Sequence, residues 1–279
     1  MSDEPAMTLA AVEQRLREAR VERPGEEAAR ILARAEEDGD PGRALGLAEQ
    51  RAAGAPLGYV LGKVRFLGVE LAAAPGVLAP RPDTELVALR ALQLLAALSA
   101  DGRGLKVIDM CCGAGNLACA LASALAGLEV LASDLTEGSV ALTRRNVTRL
   151  GLAGRVQVER GDLFAPFDGK GLEGGTQVVV CNPPYISTSR IEGDRASLLK
   201  NEPREAFDGG PYGLTIHARV IAEAQPFLRA GGWLVCEIGT GQGRQVRRLL
   251  ERARCYTDVE LVTDGGGEPR VAYGRKQAG

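Results

Sequence analysis

Residues 105–118 read LKVIDMCCGAGNLA, and this stretch decides the fold. Its first six residues are mostly apolar and include β-branched side chains, as in a buried parallel strand. Gly113 and Gly115 follow, and glycine permits the tight turn that leads a chain from a strand directly into a helix. Helical apolar spacing then runs over residues 116–126. A strand, a glycine-rich turn and a helix in this order predict the start of a βαβ unit.

The same alternation continues downstream. Further strands are predicted at residues 128–133, 155–160, 176–181, 231–238, 259–262 and 270–273, and further helices at 137–150, 214–228 and 242–252. Strands that alternate with helices join as βαβ units, whose helices cover both faces of a parallel sheet. We therefore predict an α/β fold with a doubly wound, mostly parallel sheet.

The chain upstream of the sheet has a different character. Residues 7–54 are rich in Ala, Leu, Glu and Arg at helical spacing and predict several short helices. Residues 63–71 predict a strand or hairpin arm, and Asp83-Thr84 is positioned to cap a helix over 85–98. The predicted division is a helical domain at 1–55, a linker with a β-hairpin at 56–84 and the sheet domain at 85–279.

The composition is that of an ordinary globular protein. The 279 residues are 45% hydrophobic and 25% charged, with a net charge of −2, so no basic surplus indicates nucleic acid. Six cysteines form no C-x-x-C pair, which disfavours a zinc site, and lie mostly in apolar runs, which favours a reducing cytoplasm over disulfides. The first residues lack the features of a signal peptide, and no apolar run of about 18 residues predicts a membrane span. We expect a cytoplasmic protein without a metal.

A ligand site is predicted at the carboxyl ends of the first strands, where open α/β sheets bind their ligands. Residues 113–118 match the pattern G-x-G-x-x-A, which lets a ligand lie close to the backbone. Asp134 ends the second strand, where a carboxylate accepts hydrogen bonds from two ribose hydroxyls. These two features fit a nicotinamide dinucleotide as well as S-adenosylmethionine.

Three further side chains favour S-adenosylmethionine. Asp109 ends the first strand, where it would meet the charged end of an aminoacyl group. Asp162 follows the third strand, where its carboxylate would accept a hydrogen bond from the adenine amino group. Phe164 would pack against the face of the adenine.

The fourth strand ends on CNPPYI, residues 181–186. Proline has no N–H to donate to a sheet, so this loop offers acceptors: the side-chain oxygen of Asn182 and the carbonyls of Asn182 and Pro183. Acceptors of this kind hold both hydrogens of an –NH2 group, and Tyr185 adds a flat face for a planar amide or base. They would draw the nitrogen towards sp3 geometry and aim it at an electrophilic methyl group, which is catalysis by positioning. The only histidine, His217, is expected to pack or to face solvent.

Several other segments carry a family signature. They are PLGYVLGKVRFLG (56–68), GVLAPRPDTELV (76–87), NEPREAFDGG (201–210) and the R-V-x-x-G-R run at 270–275, beside CNPPYI. Through them the chain resembles, over nearly its whole length, the bacterial and organellar family of release-factor glutamine N5-methyltransferases. The resemblance implies a seven-stranded, Rossmann-like class I methyltransferase domain that follows a helical, substrate-recognising domain. It also implies S-adenosyl-L-methionine as cofactor and a peptide chain release factor as partner.

The resemblance further implies roles for individual residues. The cofactor loop would consist of Cys111, Cys112, Gly113, Ala114 and Gly115. Asp134 would bind the ribose, with Asp162 and Phe164 near the adenine. The catalytic residues that hold the glutamine amide of the Gly-Gly-Gln motif would be Asn182, Pro183 and Tyr185, with Pro184 in the same loop.

Two departures from the family pattern leave alternatives open. The family loop usually reads D-L-G-T-G-S-G and here reads D-M-C-C-G-A-G, and Tyr212 replaces an acid in the G-G-x-D-G segment. One alternative is a relative that uses S-adenosylmethionine on a small molecule, by amine methylation or by intramolecular cyclisation of the cofactor. A DNA adenine methyltransferase and a nicotinamide-dinucleotide-binding module without catalysis are further alternatives. The helical segment could also be a decoration with no function of its own.

Overall fold

A computed structural model of the chain describes residues 4–98, 104–193 and 195–278. Its strands are β1 (Lys63–Phe66), β2 (Val69–Ala72), β3 (Lys106–Met110), β4 (Glu129–Asp134), β5 (Val156–Arg160), β6 (Thr176–Cys181), β7 (Leu228–Glu237), β8 (Tyr256–Thr263) and β9 (Pro269–Lys276). Its α-helices are α1 (Glu4–Glu18), α2 (Pro24–Glu37), α3 (Ala44–Ala52), α4 (Leu57–Leu61), α5 (Glu85–Leu98), α6 (Asn116–Ala124), α7 (Glu137–Arg149), α8 (Thr188–Glu192), α9 (Thr215–Glu223) and α10 (Gly243–Arg252).

Strands β3 to β9 form one seven-stranded sheet in the order β5-β4-β3-β6-β7-β9-β8. The pairs from β5 to β7 are parallel, whereas β9 runs antiparallel to both of its neighbours. The predicted seven-stranded, mostly parallel sheet is therefore confirmed. The chain moves outward from β3 to β5 and then returns to place β6 on the other side of β3. This reversal of strand order opens a crevice at the carboxyl ends of β3 and β6, where ligands bind in such folds.

Both faces of the sheet are covered, which explains the continuous apolar run of β6. Val178 and Val180 pack into the core on one face, and Val179 and Cys181 into the core on the other. Helices α5 and α6 contribute to the first core, and α9 and α10 to the second. A strand buried on both faces needs apolar side chains at successive positions rather than at alternate ones.

Most predicted elements lie close to their predicted bounds. The helix predicted to reach residue 228 instead ends at Glu223, because Leu228 already pairs with Thr176 as the first residue of β7. Helices α4 and α8 were not predicted. Each has five residues, which is too short for a periodic pattern to emerge.

The predicted capping role of Asp83-Thr84 is wrong. Helix α5 does begin at Glu85, but Pro82–Thr84 form a preceding 3-10 turn without a side-chain cap. The Thr84 side chain is buried, and its hydroxyl donates to Glu237 at 2.6 Å. The hydroxyl bonds to the buried carboxylate instead of capping the helix, and the local sequence does not indicate that this carboxylate is nearby.

Helices α1, α2 and α3 share an apolar core of their own, which includes Leu16, Ile31 and Leu47 and is joined by Leu61 of α4. The predicted hairpin is present as the antiparallel pair β1–β2, and it joins the core of the sheet through Phe66. No helix in the described ranges is long and apolar enough to cross a membrane.

A buried asparagine of α7 ties the hairpin to the glycine loop. The side-chain amide of Asn146 accepts a hydrogen bond from Ala72 N at 2.7 Å and donates to Ala72 O at 3.2 Å. The same amide donates to Ala114 O at 2.9 Å. One side chain therefore satisfies three backbone groups, so β2 and the loop after β3 hold fixed positions.

Candidate active site

A cavity of about 300 Å³ opens at the carboxyl ends of β3, β4, β5 and β6. Six of the predicted site residues lie on its wall, each placed there by the end of a parallel strand: Cys111, Gly113, Asp134, Asp162, Asn182 and Pro184. Residues separated by up to 73 positions in the sequence therefore meet at one site.

The loop after β3 depends on left-handed backbone conformations. Gly113 has φ 57° and Gly115 has φ 77°, a region that favours glycine because it has no β-carbon. A β-carbon added to Gly115 would lie 2.6 Å from Cγ2 of Thr143, so this position has no room for a side chain. Gly113 has no heavy atom within 4 Å of such a β-carbon. Gly115 is therefore needed for packing, whereas Gly113 leaves open space above the backbone.

Asp134 is held in place at the end of β4. One carboxylate oxygen accepts a hydrogen bond from Gly113 N at 3.0 Å, and the other accepts one from Thr136 N at 3.0 Å. The hydroxyl of Thr136 also lies 3.1 Å from the second oxygen. A carboxylate has about four acceptor positions, so these contacts leave part of its capacity for a ligand's hydroxyls. The same contacts connect the acid to the loop that forms the next part of the cavity wall.

Asp162 lies on the cavity wall but already has a partner. Its two carboxylate oxygens lie 2.9 and 3.1 Å from Nη1 of Arg219. More than half of its side chain is exposed, so this ion pair is a weak, solvent-screened contact. An adenine amino group would share this carboxylate with Arg219.

The structure does not bring Phe164 to the cavity. Its ring is buried and stacks on Phe227, with ring centroids 5.0 Å apart. Leu163 lines the cavity instead. Leu163 has φ 48°, and this unexpected left-handed turn directs the next side chain into the core.

Asp109 is also removed from the cavity wall. It is fully buried beneath the loop, where one carboxylate oxygen accepts a hydrogen bond from Ala118 N at 2.9 Å in the first turn of α6. Its other oxygen has no partner. Burial raises the pKa of Asp109 to about 8, and the bond from Ala118 only partly opposes this rise. Its contacts are those of an anchor for the loop rather than of a ligand-facing acid.

Two further members of the predicted loop face inward. Ala114 is buried, and Cys112 is buried with its sulfur 3.6 Å from Oγ1 of Thr143. Burial raises the pKa of the Cys112 thiol, which favours the neutral form. Cys112 lines a smaller neighbouring pocket that it shares with Asn182.

In the loop after β6, the side chain of Asn182 is oriented by hydrogen bonding. Its Nδ2 donates to Oγ1 of Thr84 at 3.0 Å, and Thr84 in turn donates to Oε2 of Glu237 at 2.6 Å. Pro183 is buried. The hydroxyl of Tyr185 donates to Oε1 of the same glutamate at 3.2 Å. The loop is therefore fixed from beneath by one carboxylate.

Glu237, at the end of β7, is buried with 1% exposure. Burial raises the pKa of its carboxyl group, while the bonds from Thr84 and Tyr185 favour the charged form. Its backbone carbonyl lies 2.9 Å from Nε2 of His217. His217 is fully buried, and burial lowers its pKa, so the neutral ring has a packing role.

Sequence reasoning missed Thr84 and Glu237. Glu237 ends a parallel strand at the same edge as Asp134, so the rule that selected Asp134 would have selected Glu237 as well. Thr84 lies in the family-like segment 76–87, but its role was assigned to helix capping. Within the described residues, no group of three or more His, Cys, Asp or Glu side chains could hold a metal ion.

Comparison with known proteins gives four findings. The profile of the methyltransferase small domain matches residues 90–212. A release factor glutamine methyltransferase of Moorella thermoacetica is 36% identical over 89% of this chain and 86% of its own length. One from Pseudomonas aeruginosa is 39% identical over 81% of this chain and 78% of its own length. Among solved structures, a methyltransferase from Pyrococcus furiosus superposes with a TM-score of 0.53 at 17% identity, over 76% of this chain and 90% of that one, which shows the shared fold.

Proposed function

The chain belongs to the release factor glutamine methyltransferase family, and we propose that it transfers a methyl group to the glutamine amide of the Gly-Gly-Gln motif in peptide chain release factors. The observation that carries this proposal is the arrangement of Asn182. Its –NH2 group is committed to Thr84, so the free side of this amide on the cavity wall is its oxygen. An oxygen acceptor suits an acceptor substrate that presents N–H groups.

The cavity wall fits S-adenosylmethionine. Asp134 would accept hydrogen bonds from the ribose hydroxyls, and the open backbone at Gly113 would let the ligand lie against the loop. When bound, this cofactor would supply an electrophilic methyl group on a sulfonium. Cys111 lies on the cavity wall and would contact the cofactor there. Asp162 would contact the adenine group of the cofactor.

The protein's own residues would act by positioning. Oδ1 of Asn182 and the carbonyl of Pro183 would accept the two amide hydrogens, which weakens the delocalisation of the nitrogen lone pair. Tyr185, held through its hydroxyl by Glu237, would limit the tilt of the amide plane. Pro184 lines the cavity next to these groups and would help to exclude water.

A protein substrate is supported by a second, larger cleft of about 1010 Å³. The helical region, the hairpin and the segment 198–202 contribute to its wall. Ala79, Pro80 and Arg81 line both this cleft and the small pocket that reaches Asn182. We propose that residues 1–55 form a substrate-recognition domain, 56–84 a linker with the hairpin and 85–279 the methyltransferase domain, and that a loop of the release factor enters through this cleft.

The departures at Cys111 and Tyr212 do not favour a small-molecule substrate. The side chain of Tyr212 is 84% exposed and lies outside the cavity wall. Cys111 lies on the wall with φ 58°, so it preserves the backbone shape that a glycine would give there.

The test is tandem mass spectrometry of a purified release factor after incubation with this protein and methyl-labelled S-adenosylmethionine. One labelled methyl group is expected on the glutamine of the Gly-Gly-Gln motif, and a release factor with alanine at that glutamine serves as the control. If the wild-type factor stayed unlabelled, while another methyltransferase of the family labelled the same sample, the proposed substrate would be wrong.

A further inference from the structure

A polar network lies beneath the loop that contains Asn182. Glu237 accepts hydrogen bonds from two hydroxyls, those of Thr84 at 2.6 Å and Tyr185 at 3.2 Å. Thr84 also accepts one from Nδ2 of Asn182 at 3.0 Å. Thr84 and Glu237 are buried, with 1% exposure each, so water does not compete for these contacts.

With Glu237 ionised, the direction of each hydrogen bond along this chain of groups is fixed. A threonine hydroxyl has one hydrogen, and Thr84 places it on a carboxylate oxygen, which can only accept while the acid is ionised. The oxygen of Thr84 is then left as an acceptor, and it can pair with the –NH2 of Asn182 but not with the carbonyl oxygen. An asparagine amide has nearly the same shape after a half-turn about its last torsion, so packing alone would not select one orientation.

We propose that Glu237 and Thr84 are positioning residues that set the amide orientation of Asn182 and thereby make the site selective for an acceptor that carries –NH2 rather than a carboxylate. This inference rests on the proposed function. With the opposite orientation, Asn182 would present its –NH2 to the substrate. It would then hold a glutamate side chain and repel the hydrogens of a glutamine.

Thr84→Val removes the hydroxyl at nearly constant volume, and Thr84→Ser retains it as the matched control. We expect Thr84→Val to lower kcat for the release factor by about tenfold or more, with the Kd of S-adenosylmethionine within about twofold of wild type. Thr84→Ser should stay within about threefold of the wild-type kcat, because its hydroxyl can still donate to Glu237 and accept from Asn182. A Thr84→Val enzyme with wild-type kcat would overturn the inference.

A double-mutant cycle separates positioning from general damage. If Thr84 acts through Asn182, then in the Asn182→Ala background Thr84→Val should change the single-turnover rate by less than about twofold. An equal loss in both backgrounds would show that Thr84 acts by another route, and the inference would fail.

A readout without acceptor separates this inference from the proposed function. The side-chain ¹⁵N–¹H₂ signals of Asn182, assigned by their loss in Asn182→Ala, should shift and exchange faster with water in Thr84→Val than in Thr84→Ser. Unchanged signals would contradict the proposal that the Thr84 hydroxyl sets the orientation of the Asn182 amide. If the wild-type enzyme left the release factor unmethylated, while the Asn182 signals shifted in Thr84→Val as expected, only the proposed substrate would be contradicted.

Discussion

Cys111 occupies a backbone conformation that normally selects glycine. Its φ is 58°, and a left-handed conformation costs a residue with a β-carbon about 1–2 kcal/mol. The family resemblance places a glycine at this position, and the backbone angle gives the physical reason. The strain is tolerated because neighbours fix the loop: Cys112 N donates to Ser133 O at 3.0 Å, and Gly113 N donates to Asp134.

Asp109 should make the stability of this protein depend on pH in an unusual direction. Its pKa is raised to about 8 by burial, whereas an unfolded aspartate titrates near pH 4. Between these values the unfolded chain releases a proton that the folded chain keeps, so stability falls as pH rises from about 4 to 8.

Asp109→Asn keeps an acceptor for Ala118 N and removes the titration. Urea unfolding at several pH values is expected to give a flatter stability profile for Asp109→Asn than for wild type within that window. Parallel profiles for the two proteins would contradict the raised pKa of Asp109.

At the scale of residues, the strand-end polar side chains of the cavity wall are predictable from sequence. Asp134, Asp162 and Asn182 were placed together because parallel strands end at one edge of a sheet. Phe164 could not be placed, since its direction depends on the left-handed turn at Leu163, which no glycine signals. Asp109 could not be placed either, because a strand-end acid can turn under the loop as easily as towards the ligand.

At the scale of elements, the contact between the glycine loop and α7 limits what the loop can contain. Thr143 of α7 donates to Gly113 O at 2.8 Å, and its methyl group fills the space beside Gly115. The loop and the helix are therefore packed as one unit, and Gly115 is the position of closest approach.

Gly115→Ala and Gly113→Ala form a matched pair that isolates this packing. Both carry a left-handed φ, so each should lose about 1–2 kcal/mol of folding free energy from backbone strain. Only Gly115→Ala adds a clash with Thr143, and we expect it to lose about 1–3 kcal/mol more. Equal losses for the two variants in urea unfolding would show that the contact with Thr143 can relax without cost.

Elements were predicted correctly where burial requires a long run of apolar residues in the sequence. The whole of β6 is buried, and its apolar run gave the strand its correct bounds, Thr176–Cys181. The role of Thr84 was mistaken because the helix-capping rule is local, whereas Glu237 lies 153 residues away. A pattern of neighbouring residues cannot indicate that a carboxylate so far away in the sequence accepts the hydrogen bond of the Thr84 hydroxyl.

At the scale of the whole molecule, segments far apart in sequence converge beneath Asn182. Its partner Thr84 is 98 residues away, and Arg270 forms an ion pair with Asp83 across 187 residues. Glu202 accepts from Ala79 N at 3.1 Å and pairs with Arg81 at 2.5 Å. The family-like segments 76–87, 201–210 and 270–275 thus meet around the proposed acceptor site. Their spacing could not predict this meeting, but the family resemblance marked each of them.

The most direct test compares Asn182→Ala with Asp134→Ala in single-turnover methyl transfer to a release factor, together with cofactor binding by calorimetry. We expect Asn182→Ala to lose a factor of about 10² or more in rate, because one preorganised polar group is removed, while cofactor binding stays nearly intact. Asp134→Ala should instead weaken cofactor binding. Full activity in Asn182→Ala would contradict the account of this loop.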